Sequence, residues 1–519
     1  MTPTGRAASV AGMANTVVNG NDANSATNGN STHGNGHNRQ WWRWAIPVVA
    51  AASIVLLPIP SGLAPHAWYY FAIFVAVIAA LILEPIPNPA TGLVGVVLVT
   101  ALARWVLFSP AQMSAKGFDL PGKALDWALA GFSSPTVWLV FSAFMFAMGY
   151  EKTGLGRRIA LALVKRLGGN TLSLGYAAMM TDVLLAPVTP SNTARSAGTI
   201  FPIVRNLPPL YDSLPHTPSA RKVGGYLMWL SFASCTVSSS LFMTAAAPNL
   251  LAVELIQKIA KVNISWQEWF IAAAPFAVPL LLALPVLVYL IYPPQTTQSQ
   301  QVPIWAAREL KKLGPLSRSE MILGVLVLFA VSMWMFGTQQ FEAATAALIA
   351  ISLMLLFRVF SWSDIAGNHT AWTTLTLLAT LVSLAGGLVK TGFVQWFADS
   401  VAHNLQGLTP LTAVMGLVAT YFLSHYMFAS LTAHTSALMP VMLAVGMSIP
   451  GVPTGKLALA LALTTGIMGV ITPYATGPGL VYYESGYIPS ADFWRLGLIF
   501  GLIFLAALLL IGIPLLLAF

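Results

Sequence analysis

Two short polar stretches interrupt an otherwise apolar chain: Ser191-Asn192-Thr193-Ala194-Arg195 and Ser430-Leu431-Thr432-Ala433-His434. Both run Ser, one residue, Thr, Ala and then a basic group. Ser, Asn and Thr are helix N-cap residues, and Pro190 disfavours helix at the residue before it. The pattern predicts a helix broken at membrane depth, with free N–H groups and a positive dipole end exposed. Hydroxyls and amides beside such an end hold a carboxylate without a full countercharge. Two ends of this kind suit a substrate with two carboxylates. An ordinary polar helix start at a membrane face is the alternative for each stretch. The candidate binding residues are therefore Ser191, Asn192, Thr193 and Arg195 in the first half, with Ser430, Thr432 and His434 in the second.

A second irregular patch follows each stretch. The first is Thr244-Ala245-Ala246-Ala247-Pro248-Asn249; the second, Thr472 to Gly479, reads TPYATGPG. Such loops expose backbone groups, which is tolerable at membrane depth only where they line a cavity. Thr472, Pro473 and Thr476 join the candidates on that ground, a surface loop being the alternative. Asp182 is an acid near membrane depth, either functional or paired with Arg195 or a helix end. His425 reads as a hydrogen-bonded packing histidine or a proton-sensitive ligand. Lys390 and Glu484 read as side chains that snorkel to an interface.

The elements that must position these residues follow from composition. The chain has 519 residues, 57% hydrophobic and only 8% charged, against about 25% charged in soluble domains. That excludes an ordinary soluble enzyme and points to an all-α polytopic membrane protein. The 41 Gly and 34 Pro fit helices broken within the bilayer. A net charge of +9 is assigned to cytoplasmic loops under the positive-inside rule rather than to nucleic acid. The single Cys235 excludes disulfides and Cys-based metal sites. No cofactor, resident metal or nucleic-acid partner is expected.

Residues 1–40 are rich in Asn, Gly, Ser and Thr and are expected to be a disordered tail without a signal-peptide core. Apolar stretches then run from Trp41 to the end, about eleven of them read as spans. The stretch 301–320, QVPIWAARELKKLGPLSRSE, is expected to be a cytoplasmic linker between membrane repeats at 41–300 and 321–519.

The halves share an internal repeat. Lys152-Thr153-Gly154 recurs as Lys390-Thr391-Gly392 at an offset of 238 residues, and Leu167, Gly169, Thr171 and Pro202 match Leu405, Gly407, Thr409 and Pro440 in that register. The first copy carries Lys152, Arg157, Arg158, Lys165 and Arg166 against Glu151; the second carries Lys390 against Asp399, with His403. By the positive-inside rule the first copy is cytoplasmic and the second need not be, which fits repeats of inverted topology. A parallel duplication whose second copy lost charge is the alternative. The segments before each copy, FSSPTVWLVFSAFMFAMGY and AWTTLTLLATLVSLAGGL, could each be a re-entrant hairpin or a single crossing.

TPSNTARSAGTIFPI (189–203) and ITPYATGPG (471–479) resemble signatures of the divalent anion:sodium symporter family. Within it they resemble the branch of bacterial citrate/succinate and tartrate/succinate antiporters and plastid 2-oxoglutarate/malate translocators. The resemblance spans essentially 41–519. It implies two inverted repeats, each with a re-entrant hairpin and a broken helix, in an elevator-type transporter assembled as a homodimer. It also implies that SNT-type motifs at the hairpin tips hold the substrate carboxylates. The location it implies is a bacterial inner membrane, or alternatively a plastid inner envelope. One departure matters: sodium-coupled members carry SNT in both halves, whereas here Leu431 stands in place of the second Asn and a basic residue closes each motif. An intramembrane Arg must face a cavity and an anion. Arg195, with His434, is thus expected to take the charge role that sodium plays in the symporters.

The function expected is a secondary carrier exchanging di- or tricarboxylates of the 2-oxoglutarate, malate, succinate, citrate or tartrate class. A sodium-coupled dicarboxylate symporter is the runner-up. A polytopic membrane enzyme is disfavoured by the absence of HExxH, GxSxG or an acidic pair in a loop. An ATP-driven pump is excluded by the absence of a G-x-x-x-x-G-K-[ST] phosphate loop.

Overall fold

The computed structural model describes residues 41–298, 300–337, 340–402 and 409–518. The tail expected at 1–40, and the repeat positions His403, Leu405 and Gly407, lie outside the described residues. Among the described residues the chain forms helices and no strand beyond one isolated bridge between Asn170 and Gln298. Six helices are long and apolar enough to cross a membrane: Pro65–Leu83, Thr171–Val188, Trp266–Ile291, Arg318–Phe336, His369–Lys390 and Ser490–Ala518. Five shorter apolar helices accompany them. On Trp266–Ile291, Ile271, Val278, Leu282, Val286 and Leu290 are exposed. On Arg318–Phe336, Met321, Val325, Leu328 and Phe336 are exposed. Such stripes at helical spacing are the kind that hydrocarbon rather than water solvates.

The repeat signature Lys-Thr-Gly is helix punctuation. Ser134 caps the helix Pro135–Thr153 by accepting the Val137 N–H, and Pro135 fills its first turn. The helix stops at Gly154 in the left-handed region, φ 78°, where glycine carries no Cβ penalty. The amphipathic helix Leu155–Leu167 follows, burying Gly156, Ala160, Leu161 and Val164. In the second half His369–Lys390 ends at Thr391, Gly392 turns the chain at φ 82°, and Phe393–Ala402 follows. Neither segment preceding a Lys-Thr-Gly copy folds back on itself: the first runs as one helix from Pro135 and the second lies wholly within His369–Lys390. A Cβ at Gly154 or Gly392 would meet nothing within 4 Å, so the demand there is conformational alone. Gly154→Ala is expected to cost about 1–2 kcal/mol, read as a lower Tm in detergent with exchange retained.

The charged stretch after residue 300 is docked, not loose. Gln301–Lys312 is helical and buries Val302 and Ala306. Arg157 pairs with Glu309 at 2.9 Å, and Arg158 donates to Glu320 at 2.6 Å and to the carbonyls of Leu313, Gly314 and Pro315. Arg158 thus closes the C-terminal end of Gln301–Lys312, where unpaired carbonyls favour a cation.

At the centre lies Gly224–Leu241, in which every residue is buried. It packs against Thr171–Leu185, Trp266–Ile291 and Thr454–Ile467. Its GGYLMWLSFASCTVSSSL sequence explains the position: Gly, Ala and Ser let backbones approach closely.

Candidate functional site

The first motif sits where a helix breaks. Thr171–Leu185 ends in a single tight turn at Ala186–Val188, and the chain resumes as a π-helical segment, Thr193–Ile200. Such wide turns are rare and frequent at functional sites. The Ser191 hydroxyl accepts the Ala194 N–H at 3.1 Å, and the Ser191 carbonyl accepts the Arg195 N–H at 2.9 Å. The patch 244–249 pins this break, since the Ala247 N–H donates to the Pro190 carbonyl at 2.7 Å and the Thr244 hydroxyl donates to that of Pro187.

The second motif repeats the arrangement. Pro410–Ser424 ends in a short turn at His425–Met427, and Ser430, in extended conformation, caps Leu431–Met447 by accepting the Ala433 N–H at 3.4 Å. In the fourth segment Thr476 caps Gly477–Glu484 by accepting the Gly479 N–H at 3.3 Å. Thr472 is buried with its hydroxyl unpaired among the described residues, and Pro473 is buried beside it.

The four broken segments converge. A Cβ on Gly477 would fall on the Thr193 hydroxyl, so the first motif packs directly on the last segment. The Ser196 and Tyr482 hydroxyls are 3.0 Å apart. A Cβ on Gly469 would lie 3.6 Å from Thr236 and 3.8 Å from Leu431, joining the second motif to the central helix. His425 Nε2 reaches the Ala475 carbonyl at 3.2 Å. Ser191, Asn192, Thr432 and Ser430 keep partial exposure and Thr193 is exposed, so each remains open to a ligand.

The two basic residues behave otherwise. Arg195 is 1% exposed. Its guanidinium donates to Asp182 Oδ1 at 3.0 Å, to the carbonyls of Thr189 at 3.0 Å, Ala245 at 2.8 Å and Cys235 at 3.4 Å, and to the hydroxyls of Ser238 at 3.2 Å and Ser239 at 3.0 Å. This corrects the expectation that Arg195 faces an anion in a cavity: its anion is Asp182, a residue of the chain. The reason is energetic, because removing an arginine from water costs several kcal/mol unless a carboxylate and further acceptors surround it.

His434 is likewise enclosed, 0% exposed, and stacked on Phe428 and beside Tyr421. Its Nδ1 is 2.9 Å from Nδ1 of His425, and its Nε2 is 3.4 Å from the Ser424 hydroxyl. For neutral rings the chain of contacts assigns the protons. The Ala475 carbonyl requires a donor at His425 Nε2, so His425 Nδ1 accepts and His434 Nδ1 donates. His434 thus positions His425, and through it the 472–479 segment, instead of facing a ligand.

Of the remaining charged candidates, Lys390 lies over the Phe108 ring at 4.3 Å and Glu484 is exposed. Sequence reasoning missed Ser238, Ser239, Thr189 and Tyr482. The signal for the serines was present in SCTVSSS, a run of hydroxyls in a helix too apolar to face water. A cavity of about 690 Å³ opens beside the first motif, bordered by Thr189, Ala194, Gly198 and Thr199 and, farther out, by Lys152 and Asp364.

Comparison with known proteins places this geometry. The chain is 50% identical over 475 residues to the citrate/succinate antiporter of Escherichia coli K12, covering 92% of this chain and 98% of that one. It is 47% identical over 475 residues to the L-tartrate/succinate antiporter of the same strain, covering 91% and 97%. In fold it is similar to the YdaH transporter of Alcanivorax borkumensis, with a TM-score of 0.51 and 15% identity over 83% of this chain and 97% of that one. The family described as the sodium:sulfate symporter transmembrane region matches residues 38–517. A membrane-embedded helical chain with paired helix breaks, matched by that family over nearly its whole length, belongs to the sodium:sulfate symporter family of membrane transporters.

Proposed function

We propose that this chain is a secondary carrier that exchanges di- and tricarboxylates across a bacterial inner membrane. The observation that carries the reading is that relatives 47–50% identical over nine-tenths of the chain are named as antiporters of succinate with citrate or tartrate. The geometry supports it. The Ser191 and Ser430 turns, one in each half, begin helical segments whose N–H groups and hydroxyls suit carboxylates. Ser191, Asn192 and Thr193 hold one end of the substrate; Ser430 and Thr432 hold the other. The segment at Thr472, Pro473 and Thr476 closes the site between them. The assembly is a homodimer in lipid, with inverted repeats over 41–300 and 321–519 joined by the linker at 301–320, and moves as an elevator.

Arg195 gives the reading its exchange character. Asp182, three backbone carbonyls and two serine hydroxyls surround the guanidinium, a set of oxygens that otherwise suits a hard metal cation. A cation built into the chain removes the need for sodium to organise the first motif. Because Asp182 neutralises it, the obstacle to an empty crossing is not net positive charge. It is the exposed or partly exposed polar side chains of Ser191, Asn192, Thr193, Ser430 and Thr432 at the two turns, whose desolvation is costly until carboxylates accept them.

Labelled succinate counterflow in proteoliposomes tests the reading. Internal citrate, tartrate, malate or 2-oxoglutarate is expected to accelerate entry; entry at the same slow rate with all of them contradicts it. Thr193→Ala and Ser430→Ala are each expected to raise KM about tenfold, the worth of one hydrogen bond to a charged group. Ser430→Ala is also expected to lose about 1 kcal/mol of stability with its cap, which thermal unfolding in detergent reads.

A further inference from the structure

The cavity beside the first motif has a charged rim that the exchange site does not use. Lys152, at the end of Pro135–Thr153, forms an ion pair with Asp364 from the other half of the chain. The lysine side chain is 43% exposed and that of Asp364 25%. Arg195 also borders the cavity, but its side chain is fully buried and committed to Asp182. Arg157 and Arg158 are committed to Glu309 and Glu320. Lys152 is therefore the cation with an exposed side chain among the described residues lining this space. Glu151, also exposed, borders the same rim, so the rim carries no excess positive charge while Lys152 stays on Asp364.

Asp364 does not depend on Lys152 for its place. It accepts the Ser361 N–H and O–H, each at 2.7 Å, as part of a capping box on Trp362–Ala366. The Lys152 ammonium and the Ser361 donors hold its carboxyl below the usual carboxylate range, so it stays ionised at neutral pH. An exposed ion pair of this kind is weak and easily exchanged, and its acid is a carboxylate, the same group a di- or tricarboxylate presents.

We infer that the Lys152–Asp364 pair is an anion-capture subsite, in which Lys152 exchanges the Asp364 carboxylate for a carboxylate of the incoming substrate before it reaches the first motif. The inference rests on the exchange reading and names an additional residue for it. The subsite is one-sided. Lys390, the counterpart in the second half, has its ammonium over the Phe108 ring and does not border this cavity.

The test is the KM for succinate at each face, measured in inside-out and right-side-out vesicles. Lys152→Gln is expected to raise KM about threefold to fivefold at the face of the first Lys-Thr-Gly turn, with the maximal rate and the KM at the other face unchanged. Lys152→Arg should restore it. Asp364→Asn, which removes the competing carboxylate, should lower KM several-fold at that same face. Raising KCl should raise KM there in the unmodified protein and not in Lys152→Gln, because screening acts on the capture step. Equal KM changes at both faces, or a fall in maximal rate alone, overturns the inference while leaving exchange intact. Absence of carboxylate exchange in the unmodified protein would instead overturn the reading of function beneath it.

Discussion

Arg195→Ala is expected to abolish exchange and to cost about 3–5 kcal/mol of stability, because it leaves Asp182 as an unpaired buried charge. Asp182 is 1% exposed, and its second oxygen already accepts the Ser238 hydroxyl. Without the guanidinium, the Thr189 and Ala245 carbonyls also lose their donor. These two carbonyls come from the first broken segment and the patch that pins it, so the arginine is the joint between them. A double substitution separates structure from function. Arg195→Met with Asp182→Leu replaces the ion pair by apolar groups, a change that is often neutral for stability. The double variant is expected to recover part of its Tm in detergent, the Thr189 and Ala245 carbonyls still lacking their donor, while exchange in liposomes stays lost. Recovery of exchange together with Tm would show that the pair only fills space.

Gly466→Ala is expected to damage both stability and exchange. A Cβ there would lie 2.6 Å from the Ser239 carbonyl carbon and fall on the Ser240 nitrogen. These are backbone atoms, which no rotamer change can move aside. Overpacking of a tight core costs about 1–3 kcal/mol. Here the displaced segment also carries Ser239, an acceptor of Arg195, and Ser240, whose hydroxyl donates to Leu463 at 2.5 Å and whose carbonyl accepts from Trp269 at 2.9 Å. Tm and exchange rate should therefore fall together in Gly466→Ala, whereas Gly154→Ala should lower Tm alone. An unchanged Tm in Gly466→Ala would contradict the close crossing of the central helix with Thr454–Ile467.

The contrast between these glycines marks what could be read from the chain itself. Gly154 and Gly392 were visible because a helix stop followed by an amphipathic helix leaves a local pattern, repeated at one offset. The helix breaks at Ser191 and Ser430 were visible for the same reason: capping chemistry acts over three or four residues. Gly466 was invisible, because nothing in its neighbourhood records that another backbone presses on it. Arg195 shows the limit most clearly. Its cost in a membrane was evident from sequence, and so was Asp182 as one partner. What settled its surroundings was the break at 186–192, which turns the chain back so that Asp182 and Arg195 meet. Ser238, Ser239 and Ala245 then arrive from a segment some forty to fifty residues downstream. His434 failed as a ligand for a related reason. Its partner His425 lies across a second break, and the pair satisfies itself at 2.9 Å.

The claim that a cation built into the chain replaces sodium in an exchanger is tested most directly by net uptake of labelled succinate into proteoliposomes. The vesicles are either empty or loaded with citrate, and each is assayed with and without an inward sodium gradient. The account predicts rapid uptake into loaded vesicles, negligible uptake into empty ones, and no effect of sodium on either. Rapid uptake into empty vesicles that requires sodium would contradict it.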